Sequence, residues 1–126
     1  MISINIKQLR EYRHVKANIL LLKTELDELI LQSSAHEGGG NRNAVSDTVA
    51  QIVLQREKKR RNIESLTERK NAVEGYVAAC DDYIGLLLRW HYMEGRTWTA
   101  IAMAIGGGNT EDSIKKSCYR YVNKNP

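Results

Sequence analysis

Of the 126 residues, only the last, Pro126, is a proline. Proline removes a backbone N–H and clashes with the preceding helical turn, so every residue before it is free to be helical. Glycine occurs nine times, and six of these fall in the triplets Gly38–Gly40 and Gly106–Gly108, which cut the chain into three stretches. An all-α fold is the expectation.

In the first stretch Ile6, Leu9, Tyr12, Val15, Ile19, Leu22, Leu26 and Leu29 recur at steps of three and four. That spacing predicts a helix from roughly Ile6 to Gln32 with one heptad seam, and Asn5 as its N-cap. Glu25, Asp27 and Glu28 interleave with the seam as a solvated face. The segment from Ser33 to Ser46 has no periodicity and is expected as a loop, ended by Ser46 as the N-cap of a second helix running to about Ala79. Its seam is Val49, Ile52, Arg56, Lys59, Ile63, Leu66, Lys70, Val73 and Val77. At 1.5 Å per residue such a helix is about 50 Å long, too long for the core of a small globule.

Residues 1–79 are therefore expected to form a long antiparallel helical hairpin of coiled-coil type. Arg56, Lys59 and Lys70 suit such a seam only if their apolar stems lie along it while their heads reach water. Otherwise they mark where another chain docks. Self-pairing and homo-oligomer formation bury similar stripes, so both stay open at this level.

Residues 80–126 differ in composition. Tyr83, Ile84, Leu86, Leu87, Leu88, Trp90, Tyr92 and Met93 crowd together, predicting a short, well-buried helix that stops at Gly95. Thr97 caps a helix of about two turns facing inward with Trp98, Ile101, Ala102 and Ile105. Gly106–Gly108 reverse the chain, and Thr110 caps a last helix with Ile114, Cys118, Tyr121 and Val122 inside. Short helix, glycine turn and amphipathic helix with basic residues outward is the helix-turn-helix pattern, whose second helix enters the DNA major groove. On this reading Lys115, Lys116 and Arg120 meet phosphates, with Tyr119 beside them. Asn109, Thr110, Glu111 and Ser113, at the helix start, face base edges.

The net charge of +4 is better understood locally. Gln51–Gly75 has seven basic against four acidic residues, and from Leu86 onward there are six against three. Those two surpluses are where polyanionic or acidic partners are expected.

Tyr92-Met93-Glu94-Gly95-Arg96-Thr97-Trp98-Thr99-Ala100-Ile101-Ala102 resembles the bacterial sigma-70 region 4 signature that opens its helix-turn-helix. With Ser46-Asp47-Thr48-Val49-Ala50 after a glycine-rich loop, the chain resembles the RinA/ArpU-like phage and prophage transcriptional regulators of Gram-positive bacteria. The resemblance implies binding of double-stranded promoter DNA by the helix at about 110–123, contact with host RNA polymerase, and residence in the cytoplasm of a bacterial host cell. The chain departs from the sigma pattern at His91 and at Glu111, Asp112 and Ser113, where a basic segment is usual.

Other chemistry finds little support. His14, His36 and His91 stand in separate segments without a ligand partner at helical spacing, and Ser113, Ser117 and Cys118 have no adjacent base in a recognisable arrangement. No catalytic residue, metal site or cofactor is expected. Cys80 and Cys118 read as buried thiols of a reducing compartment. The N-terminus does not read as a signal peptide, and the longest apolar runs, Ile19–Leu22 and Ala100–Ile105, predict no membrane partner. Two alternatives to the regulator remain from residues alone. One is a packaging or assembly protein of small-terminase type; the other is a coiled-coil interaction module that binds no DNA.

Overall fold

In the computed structural model, residues 3–35 and 42–126 are described, with side chains described for 3–32 and 48–126. The elements are α1 (Ile6–Ala35), α2 (Arg42–Ala79), α3 (Asp82–Leu88) continued by one wide turn at Arg89–Met93, α4 (Trp98–Ile105) and α5 (Glu111–Lys124). No strand occurs among the described residues, and none of their helices is long and apolar enough to cross a membrane.

Local chemistry explains where the helices begin. Asn5 and Gln8 exchange side-chain and backbone hydrogen bonds, both 2.9 Å, which satisfies two N–H groups left orphaned at the start of α1. The long helices run further than the residue pattern predicts: α1 continues through Ala35, and α2 begins at Arg42, so Ser46 lies inside it instead of capping it. Asn43, Ala44 and Val45 contain no breaker, and adding a residue to an existing helix is far easier than starting one. The Gly38–Gly40 turn, His36 and the Ser46 hydroxyl lie outside the described residues.

The chain divides into two compact units. The first joins the segment up to Val15 with Arg69–Pro126, and the second is Lys16–Glu68. In the first, Ile4, Leu9 and Tyr12 pack with Val73 and Val77, with Ile84, Leu87 and Leu88, and with Tyr92, Trp98, Ile101, Ala102, Ile114, Cys118 and Val122. Residues 80–126 thus share their core with the ends of both long helices. The Tyr12 hydroxyl donates to Glu74 at 2.7 Å, and its pKa is pushed up to about 12, first by burial and then by that carboxylate. Arg69 pairs with Glu11 at 2.9 Å, and Lys70 with Glu74 at 3.2 Å.

In the second unit Ile19, Leu29 and Ile52 are buried, while Leu22, Leu26, Ile63 and Leu66 are half-buried. Lys59 is only 24% exposed and its ammonium reaches Glu25, so this seam cation lays its stem inward and keeps a partner. Arg56 is also half-buried, with its Nε buried and without a hydrogen bond. Leu20, Leu21, Leu31, Val53 and Leu54 remain exposed.

The residue pattern predicts one buried helix ending at Gly95, but the helix widens before it stops. The Glu94 N–H reaches back five residues to the Arg89 carbonyl, and the Arg96 N–H six residues to that of Trp90, both at 2.9 Å. Tyr83, expected inside, is 46% exposed. Gly95 has φ 77°, and a Cβ there would stand 2.5 Å from Arg13 Nη1. Gly95→Ala is expected to cost about 1–2 kcal/mol in urea unfolding, from the left-handed backbone and the displaced guanidinium. Gly75→Ala, in open space on helical backbone, should instead gain up to about 1 kcal/mol. Equal stability of the two variants would refute the close approach at Gly95.

Candidate nucleic-acid interface

Two capped helices build the face that the residue pattern singles out. Thr97 Oγ1 accepts from the Ala100 N–H at 3.1 Å, fixing the start of α4. Gly106, Gly107 and Gly108 all have positive φ, and Gly106, at φ 67° and ψ −153°, occupies a region open in practice only to glycine. Asn109 closes the reversal, its side-chain amide donating to the Gly106 carbonyl at 2.8 Å. Thr110 and Ser113 then satisfy each other's backbone N–H groups at 3.1 and 3.0 Å. Ile114, Cys118 and Val122 press the inner side of α5 into the core.

The eight candidate residues therefore fall into three sets. Asn109, Thr110 and Ser113 have side-chain groups engaged in the turn and the cap. Glu111 accepts from the Thr99 hydroxyl at 2.9 Å, which ties α5 to α4, and with Asp112 it stabilises the positive end of the α5 dipole. Lys115, Lys116, Tyr119 and Arg120 lie further along α5. Lys116 and Arg120 are exposed, Lys115 and Tyr119 half-buried, and none of the three cations pairs with a carboxylate among the described residues. The Lys115 ammonium lies 5.7 Å from the centre of the Tyr119 ring.

α1 adds a group that the pattern did not single out. Arg10 Nη2 donates to the Tyr119 hydroxyl at 2.6 Å, and its guanidinium lies 5.7 Å from the same ring centre. A signal for it exists: Lys7, Arg10 and Arg13 recur every third residue, and all three are exposed. The nearness of Arg10 to α5 is not deducible from such spacing, because 109 positions separate it from Tyr119.

No family model matches the chain, and no curated protein or solved structure does. The geometry therefore stands alone.

His91, in the wide turn, completes the surroundings. Its ring stacks on Trp98 with centroids 3.9 Å apart, and Nδ1 is 2.7 Å from the Arg96 carbonyl oxygen, as a donor in the tautomer that fits that acceptor. Burial lowers its pKa; the carbonyl opposes this, and Lys115 and Arg10 lower it further. The ring is thus neutral at pH 7, in keeping with a packing role. Arg96 holds Glu94 at 3.2 Å and covers the Trp90 ring at 4.7 Å. Cys118 is fully buried, and burial pushes its thiol up to about 12, which leaves it protonated and unreactive. No group of three or more His, Cys, Asp or Glu residues suited to a metal occurs among the described residues.

Proposed function

We propose that the chain is a DNA-binding transcriptional regulator of phage type, in which α4, the glycine turn and α5 act as a helix-turn-helix and α5 enters the major groove. One observation carries the reading: α5 buries Ile114, Cys118 and Val122 on one side, while its outer side offers cations that pair with no carboxylate among the described residues. Such a surface favours a polyanionic partner, whose phosphates these cations would meet with release of counterions. The engaged side chains at the start of α5 move sequence reading away from Asn109, Thr110 and Ser113. Lys115, Lys116, Tyr119 and Arg120 become the residues expected to touch the duplex, and contact with host RNA polymerase remains part of the proposal.

In the same reading α1 and α2 form an antiparallel hairpin. The ion pairs Glu11–Arg69 and Glu25–Lys59 support it, because the partner's number falls as the first number rises. The exposed Leu20, Leu21, Leu31, Val53 and Leu54 favour self-association through this hairpin.

Selecting duplex fragments with the purified protein and sequencing them tests both parts. A defined motif is expected, and two inverted half-sites would report a dimer. Recovery of random sequence would overturn the regulator.

A further inference from the structure

We propose that α1 is part of the DNA contact: Arg10 and Arg13 hold backbone phosphates of the duplex whose groove α5 enters. This rests on the DNA-binding reading and extends it to a segment far away in sequence.

The pairing of charges within the first compact unit carries the inference. Arg69, Lys70, Arg89 and Arg96 each reach a carboxylate within 3.5 Å: Glu11, Glu74 and, for the last two, Glu94. Arg10 and Arg13 reach none among the described residues, and neither do Lys115, Lys116 and Arg120 on α5 or Lys7 and Lys124 at the ends of α1 and α5.

Arg10 is also joined to α5 directly. Among the described residues its one side-chain hydrogen bond goes to the Tyr119 hydroxyl and not to a carboxylate, which leaves the rest of its five-donor fork available. Arg13 lies against Gly95, in the turn that leads into α4, where only a hydrogen leaves room for its guanidinium. The two arginines therefore border α5 and the approach to α4 together. A contact as exposed as Arg10–Tyr119 adds little to stability, so the fold alone does not account for gathering these charges. A phosphate bridged by a planar guanidinium does.

The test is the salt dependence of binding to the selected duplex and to a scrambled one, between 50 and 200 mM salt, roughly the span over which phosphate contacts show. R10Q/R13Q keeps a hydrogen-bond donor near Tyr119 and removes the charge. It should flatten the slope of log affinity against log salt by about 1.8, at about 0.9 per phosphate, and weaken both duplexes about tenfold or more at the low-salt end. R10K/R13K should restore most of the slope. Thermal unfolding of each variant confirms that it is folded at the assay temperature. An unchanged slope for R10Q/R13Q, while K116A/R120A flattens it, would overturn the α1 contact and leave the DNA reading standing. Loss confined to the selected duplex with an unchanged slope would overturn it too, because Arg10 would then only position Tyr119. A wild-type protein that binds neither duplex would overturn both.

Discussion

K115A/K116A/R120A is expected to lose at least about a hundredfold in affinity for its selected duplex at physiological salt, with its helical circular dichroism unchanged. Three lost phosphate contacts flatten the salt slope by about 2.7, which sets the size of the effect. The fold should tolerate the change. α5 is held by Ile114, Cys118 and Val122, all on the opposite side, whereas Lys116 and Arg120 are exposed and Lys115 touches only the edge of the Tyr119 environment. Fluorescence anisotropy on a labelled duplex measures the loss. Affinity equal to the wild type would remove α5 from the interface.

Leu87→Ala should have the largest effect on stability. Leu87 is 0% exposed in the core shared by α1, α2, α3, α4 and α5, so truncation loses the transfer energy of its side chain and leaves a cavity. Such a change costs about 2–5 kcal/mol, against a total of about 5–15 kcal/mol for a domain. The thermal midpoint is expected to fall by about 10 °C or more. Met103→Ala, on α4 but 78% exposed, serves as the control and should stay within about 0.5 kcal/mol of wild type. If both variants unfold at the wild-type midpoint, the packing around Leu87 is wrong.

What could be seen in the residues beforehand was local. Leu9, Tyr12, Val15, Ile19, Leu29, Ile52, Val73 and Val77 are all buried, as their spacing required, because helical periodicity places a side chain without reference to anything distant. The caps at Asn5, Thr97 and Thr110 were equally legible, since a cap is decided within four residues. Ser46 misled because a good capping residue does not forbid helix on its N-terminal side. The wide turn at Arg89–Met93 has no compositional mark; His91 and Tyr92 there pack against Trp98, and Trp90 against Arg96, contacts that only the folded chain makes.

The candidate interface shows the same division. The cations of α5 were legible from its amphipathic pattern. That Asn109, Thr110 and Ser113 spend their polar groups on the turn and cap was not, because the same residue types serve capping and base contact equally well. The basic spacing of Lys7, Arg10 and Arg13 is legible, but not the place of Arg10 beside α5, because only the folded chain brings it to Tyr119.

The core shared between the C-terminal third and the ends of α1 and α2 bears on how such a chain can evolve. Ile4, Leu9, Tyr12, Val73 and Val77 fill the floor beneath α3, α4 and α5, so the last third is not a cassette that recombination could transplant by itself. The Lys16–Glu68 unit is under no such restriction. If α1 and α2 pair as proposed, whole heptads can be added to or removed from both helices together while every inward position keeps its phase. Descendants of this chain are free to vary the length of the long helices, while the core beneath α3, α4 and α5 is inherited as one piece.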